Sequence, residues 1–336
     1  MDIKIKKYKP KNTPPKELIS LLQKKYGKQE NFNYFLNDFE TAFNFCVENK
    51  NIYFEPIAIY SGIEMVAHIA VIKDYRLGSD VAFFGFFESP NDPVIFDSLW
   101  EELIIAAKKI GVSIIKGPVN GSIWHQYRVI KQSDASGFFK SETMCEPYYY
   151  NLLKNKEAKS EISYYSAYRE KFDAILKAGQ LPYEKLIGSG FSVQEFEKVS
   201  ADDLKEVLTL SREVFSKSWE FTDLTEEEFF QLYSEEKLES HLSKLYLLRK
   251  EKKIIGFSNV LEENNSTLIF KTICLLPEYF GLGLGNVLAY KVHFDAERDG
   301  IKKIIYALIK EDNNIKNFPK DDAAIFRKYA AFEFTI

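Results

Sequence analysis

Leu275-Leu276-Pro277-Glu278-Tyr279-Phe280-Gly281-Leu282-Gly283-Leu284-Gly285-Asn286-Val287-Leu288 is the stretch on which the reading of this chain turns. Before it, Leu268 to Leu276 is mostly apolar with β-branched residues, as a buried strand requires. After it, Leu284, Val287, Leu288, Val292 and Ala296 recur at helical spacing and give a helix one buried face. Three alternating glycines join the two. A helix start carries unpaired N–H groups and a partial positive charge. Glycine adds no Cβ to hold an anion away from them. Strand, glycine turn and helix therefore make a phosphate seat that needs no charged side chain. A turn that only caps a helix would instead favour Ser, Thr, Asp or Asn.

Two nucleotide motifs fail on the residues. A P-loop would place Lys and then Ser or Thr after the last glycine, where this chain has Asn286-Val287. A dinucleotide fingerprint needs G-x-G-x-x-G, and the frames from Gly281 and Gly283 end on Asn286 and Leu288. Glu311 and Asp312 stand near where a ribose-binding acid would follow, but too little chain remains for the further strands of such a sheet. The stretch Pro277 to Gly285 resembles motif A of the GNAT superfamily of CoA-dependent N-acyltransferases, usually Arg/Gln-x-x-Gly-x-Gly/Ala and often preceded by Pro-Glu-Tyr. Gly283 and Gly285 take the two glycine positions, and Phe280 stands where Arg or Gln is usual. The resemblance implies that acetyl-CoA or another acyl-CoA is the co-substrate. The backbone amides of Gly281, Leu282, Gly283, Leu284, Gly285 and Asn286 would then hold the CoA pyrophosphate. It also implies an oxyanion-binding N–H from the strand end at Leu275 or Leu276. A CoA-contacting asparagine is expected at Asn313 or Asn314, where an ordinary turn is the alternative.

The surroundings repeat. Strands at Lys244 to Arg249 and Lys253 to Leu261 precede the one at Leu268, and Gly300 ends the helix before a strand from Ile301 to Lys310. Earlier, strands Ile52 to Tyr60, Met65 to Lys73 and Val81 to Glu88 lead to a helix from Pro93 to Ile110, then Gly111 and a strand at Val112 to Lys116. The expected fold class is α+β with a mixed α/β sheet, as two tandem GNAT-like domains. Each is a mostly antiparallel sheet with one crossover helix and flanking helices. The expected division is residues 1–175 without the CoA motif and residues 176–336 with it, with Gly179-Gln180-Leu181-Pro182 as an exposed connector. In the first copy the corresponding turn is Ser89-Pro90-Asn91-Asp92-Pro93, where Asn91 or Asp92 caps the helix and the aspartate repels phosphate, so this copy is not expected to bind CoA. The aromatic run Phe83-Phe84-Gly85-Phe86-Phe87-Glu88, the segment Gly117 to Ser122 and Pro147-Tyr148-Tyr149-Tyr150 extend the resemblance, more loosely, to bacterial tandem GNAT proteins.

Upstream of the motif, Ala201 to Val214 reads as a helix after a short strand at Ser192 to Val199. A capping box at Thr225-Glu226-Glu227-Glu228 starts the next helix. The segment between them, Ser216 to Asp223, lines the acceptor site in GNAT relatives. Its acids could favour a cationic amine or simply complement a helix dipole. The chemistry such a fold implies needs a base for the acceptor amine and an acid for the leaving thiolate. Glu262, at a strand end, and Glu220, in the acidic segment, are candidate bases. Tyr329, on the face of the last strand that carries Arg327 and Ala331, is the candidate acid. The implied reaction is acetyl transfer by direct attack of a primary amine, small molecule or peptide, on acyl-CoA. The alternatives are an aminoacyl-tRNA-dependent transferase of paired GNAT-like domains and a non-catalytic CoA-binding sensor or scaffold.

Composition narrows the rest. The net charge of −4 gives no general attraction to nucleic acid. The three cysteines (Cys46, Cys145, Cys274) lack zinc or redox spacing, and the four histidines show no H-x-x-x-H pattern, so no metal is expected. His125 could line a cleft or a surface turn. Met1 to Lys16 is lysine-rich without an apolar core, and no apolar run approaches the roughly 20 residues of a membrane span. A cytoplasmic protein without a membrane partner is the expectation.

Overall fold

The computed structural model describes residues 3–196, 199–233, 243–312 and 323–336. Two compact units emerge: Met1–Tyr164 together with Arg327–Ile336, and Tyr165–Phe326. The protein has a mixed sheet architecture with helices, and each unit repeats the expected order of an antiparallel meander, a crossover helix and a parallel strand.

The first unit runs β1 (Ile3–Lys7), α1 (Lys16–Tyr26), α2 (Phe32–Glu48), β2 (Ile52–Ser61), β3 (Glu64–Asp74), β4 (Val81–Glu88), α3 (Pro93–Lys109), β5 (Ile114–Gly117), β6 (Val129–Ser133) and α4 (Tyr149–Lys154). β2 to β4 pair antiparallel, with Ile57 opposite Ile69 and Val71 opposite Phe84, and β5 returns parallel to β4 with Val81 opposite Ile114. Every residue of β4 is buried, because sheet neighbours flank it and helices cover its faces. Phe39, Phe43, Phe54 and Phe86 stack edge to face or tilted at 5.0–5.5 Å between α2 and the sheet.

The second unit starts in β7 (Ser160–Arg169) and runs through α5 (Asp173–Ile187), β8 (Phe191–Phe196), α6 (Ala201–Phe215), α7 (Glu226–Tyr233), β9 (Ser243–Lys250), β10 (Lys253–Asn264), β11 (Thr267–Leu275), α8 (Leu284–Arg298) and β12 (Lys303–Lys310). β8 to β11 pair antiparallel in order, and β12 lies parallel to β11. The expected capping box is present: the Glu228 amide donates to Thr225 Oγ1 at 3.2 Å, and the Thr225 amide donates to Glu228 Oε2 at 2.7 Å.

Two expectations about the chain's organisation need correcting. Gly179 to Pro182 is no exposed connector, since it lies within α5. A Cβ on Gly179 would stand 2.5 Å from Cβ of Tyr290 in α8, so the glycine is there to let two helices approach. The final strand, β13 (Ala323–Thr335), does not close the second unit. From Arg327 onward it belongs to the first, where Phe332 pairs with Gly117 and Phe334 with Ile115 of β5. Among the described residues no helix is long and apolar enough to cross a membrane.

Candidate functional site

The glycine turn leaves β11 through a 3₁₀ turn at Pro277–Tyr279, closed by the Phe280 amide donating to the Pro277 carbonyl at 3.0 Å. Gly281 and Gly283 then take φ of 80° and 76°, the left-handed region that side chains disfavour. A Cβ at either position would meet nothing within 4 Å, so the requirement is conformational and the space over the turn is open. Gly283 is the N-cap of α8 and offers no side chain to cap it. The first amides of the helix to find a backbone partner are those of Asn286 and Val287, both donating to the Gly283 carbonyl, at 3.0 and 3.3 Å. Among the described residues the amides of Gly281, Leu282, Gly283, Leu284 and Gly285 have no backbone acceptor. Five consecutive amides without backbone acceptors thus lie in one turn at the positive end of a fifteen-residue helix. Asn286, expected among them, spends its amide inside the helix. The Leu276 amide is likewise taken, by the Ile255 carbonyl at 2.9 Å.

Beside this turn the sheet opens. β11 and β12 pair from Thr267 opposite Lys303 to Phe270 opposite Tyr306, and then pairing stops although β11 continues to Leu275 and β12 to Lys310. Leu308 adopts φ of 58° and turns its amide to Ser166 Oγ of β7 at 3.0 Å, away from β11. Residues 271–275 therefore edge a gap that leads from the glycine turn into the sheet, roughly 17 Å at the usual strand rise.

Sequence reasoning missed a buried pair at the point where the strands part. His293 of α8 lies 2.6 Å from the Ala289 carbonyl through Nδ1 and 2.6 Å from the Tyr306 hydroxyl through Nε2. A carbonyl can only accept, so Nδ1 carries the proton and Nε2 accepts from Tyr306. Burial pushes the His293 pKa down to about 4, Arg169 lowers it further, and the Ala289 hydrogen bond opposes both. Burial also raises the Tyr306 hydroxyl. The signal in the sequence was a histidine on the apolar face of a helix, one residue beyond Val292.

The expected catalytic residues fare unequally. Tyr329 is buried in the first unit, not displayed on a polar strand face, and donates to Glu142 Oε1 at 2.6 Å beside an ion pair of Arg327 with Glu142. Glu262 sits on β10 opposite Leu268, in the closed part of the sheet. Leu275, at the turn, pairs with Gly256, seven residues and roughly 23 Å further along β11. Glu220 lies between α6 and α7 and holds a left-handed φ of 51°, which a side-chain-bearing residue seldom adopts without cause. Asn313 and Asn314 lie outside the described residues.

The first unit builds the corresponding place differently. Asp92 caps α3, accepting from the amides of Val94 at 2.9 Å and Ile95 at 3.4 Å, so a carboxylate stands where the second unit leaves amides open. Pairing of β4 with β5 also stops early, at Phe83 opposite Lys116, but the protein's own chain fills the opening. The Val119 amide donates to the Phe84 carbonyl at 2.8 Å, and the Phe86 amide donates to Asn120 Oδ1 at 2.6 Å. His125 takes no part in this and contacts Ser122 Oγ at 2.9 Å and the Phe45 ring at 4.7 Å.

Comparison with known proteins agrees with this geometry. The Acetyltransferase (GNAT) family model matches residues 204–317, which carry α6 to β12 and the glycine turn. No curated protein matches the chain. Among solved structures, a tandem GNAT protein from the clavulanic acid biosynthesis pathway superposes with a TM-score of 0.63 at 10% identity, over 99% of this chain and 98% of that one. A GCN5-related N-acetyltransferase from Sphaerobacter thermophilus gives 0.55 at 12%, over 98% and 95%. Another from Kribbella flavida gives 0.53 at 12%, over 98% and 71%. At such identities the likeness is one of fold, and it spans both units. The family match covers residues 204–317, the segment that holds the glycine turn, and the chain as a whole has the fold of tandem GNAT structures.

Proposed function

We propose that the second unit is an acyl-CoA-dependent N-acyltransferase acting on an amine, and that the first unit binds no CoA. The observation that carries the reading is the set of five unpartnered amides around Gly281 and Gly283, with open space where a Cβ would stand. These residues fit a pyrophosphate: the donors are backbone, the charge comes from the helix end, and the space beside Gly281 and Gly283 is open. Phe280 and Leu282, 61% and 56% exposed, flank the seat and would present apolar surface to the nucleotide end of CoA. CoA supplies the activated acyl group as a thioester. The gap along residues 271–275 would receive its extended arm, with strand-edge groups facing that arm. Glu220, on the segment between α6 and α7, would take the proton that the acceptor ammonium must lose before its nitrogen can attack. The first unit's opening is closed by Val119 and Asn120 and its helix start by Asp92, which supports one CoA per chain.

Calorimetric titration of the full chain with CoA and acetyl-CoA tests this. Binding at one equivalent per chain is expected, and Gly283→Asp, which forces a carboxylate into the seat, should abolish it. Two equivalents, or unaltered binding in the variant, would overturn the assignment of the seat. Binding without turnover on a panel of primary amines would instead identify a CoA-binding scaffold.

A further inference from the structure

We propose that the second unit accepts only a short acyl group, of the size of acetyl or propionyl, and that Phe270 and Tyr306 form the stop that sets this limit. The inference rests on the reading of the glycine turn as the CoA seat and of the gap beside it as the channel for the CoA arm. That gap has a mouth and a closed end. At the mouth Leu275 adjoins the seat, since a Cβ on Gly285 would stand 3.7 Å from Leu275 Cδ1. At the closed end Phe270 pairs with Tyr306, the last pair that β11 makes with β12 among the described residues. From Phe270 to Leu275 the strand runs roughly 17 Å at its usual rise.

The closed end is filled on both faces of the sheet. Directly paired residues share a face, and the rings of Phe270 and Tyr306 lie 6.1 Å apart between centres. His293 of α8 stacks on Tyr306 at 5.8 Å and sits 6.2 Å from Phe270, with Phe172 edge-on to it at 5.5 Å. The Tyr306 hydroxyl donates to His293 Nε2 at 2.6 Å, and His293 donates in turn to the Ala289 carbonyl. Swinging the Tyr306 ring aside would therefore strip a wholly buried histidine of a hydrogen bond. The preceding pair, Ile269 with Ile305, points to the opposite face, and both side chains are buried.

The length of the channel then decides what fits. The pantetheine arm of CoA has thirteen bonds from phosphorus to sulfur. An extended chain gains roughly 3.3–3.6 Å for every three bonds, so the arm reaches about 15 Å. Its sulfur would stand about 2 Å short of the fork, plus the small offset between the phosphate and Leu275. Acetyl adds two bonds and about 2 Å, which fits, whereas octanoyl adds eight bonds and about 9 Å, which does not. A longer chain would have to displace close-packed rings or leave the gap, and either course weakens binding.

Calorimetric titration of the full chain with CoA, acetyl-CoA, propionyl-CoA and octanoyl-CoA tests the stop without calling on an acceptor. Acetyl-CoA and propionyl-CoA should bind within about threefold of each other, and octanoyl-CoA about tenfold or more weaker than either. Phe270→Ala, which removes one ring of the stop, should narrow the gap between octanoyl-CoA and acetyl-CoA by about threefold or more. Octanoyl-CoA binding as tightly as acetyl-CoA would overturn the stop and leave the CoA seat standing. Failure of every CoA species to bind would overturn the seat, and the stop with it. An undiminished preference in folded Phe270→Ala would overturn the assignment of the limit to this pair. The chain-length series uses the unaltered protein, so it decides the matter even if Phe270→Ala fails to fold.

Discussion

Two buried histidines should make this protein sensitive to acid, one in each unit. His68 of β3 is fully buried, with Nδ1 2.7 Å from the Phe86 carbonyl and Nε2 2.8 Å from the Tyr8 hydroxyl. Burial pushes its pKa down to about 4 against the opposing Phe86 hydrogen bond, and His293 reaches about the same value. Both are neutral in the folded protein, whereas an unfolded histidine protonates near pH 6.5. Between those values the unfolded chain binds protons that the native state refuses, so stability falls as pH falls from about 6.5 towards about 4. From about pH 7 to about pH 5 the loss is about 2 kcal/mol per histidine, approaching about 3 kcal/mol below about pH 4. Glu88 and Glu142 act in the opposite sense, because burial raises their pKa values and acid favours their native form. The assay is therefore a difference: urea unfolding at both pH values for the parent, His68→Asn and His293→Gln. Each variant should lose about 2 kcal/mol less on acidification than the parent, in the transition of its own unit. Equal pH dependence in parent and variants would refute the reasoning.

Tyr329→Phe and Glu220→Gln should separate structure from chemistry. The first removes a buried hydrogen bond to Glu142 and costs about 1–3 kcal/mol of stability with turnover preserved. The second leaves stability nearly unchanged and lowers kcat by about 10²-fold or more. The reverse pattern would return Tyr329 to the active site. Gly179→Ala should destabilise the second unit by about 1–3 kcal/mol in thermal unfolding, because its Cβ would collide with Tyr290, and an unchanged Tm would show that α5 and α8 can give way.

What could be read in advance follows the range of the interactions. The glycine turn, the strand before it and the helix after it are local in sequence, and their periodicity and turn chemistry stand on neighbouring residues. The order of the repeat was legible for the same reason, as was the cap at Asp92, whose partners are two and three residues away. Partnerships across long stretches of chain were not. Tyr329 looked available because alternation in β13 places it beside Arg327, yet both are engaged by Glu142, 185 and 187 residues away. Gly179 resembled a loop residue because its reason for being glycine is Tyr290, on another helix. The parting of β11 from β12 has no signature of its own in either strand, since it lies in where pairing ends.

The route of β13 has a consequence for how the chain is made. Residues 165–326 form a continuous stretch, so the second unit has all of its sequence once Phe326 has left the ribosome. The first unit is emitted earlier but remains short of a strand: β5 has no β13 partner for Gly117 and Ile115, and Glu142 has neither Arg327 nor Tyr329, until residues 327–336 emerge. The half synthesised first is thus the half that is finished last. A nascent chain halted before Arg327 would hold a carboxylate without its cation and an open sheet edge in its N-terminal half, the kind of surface that invites chaperones or mispairing.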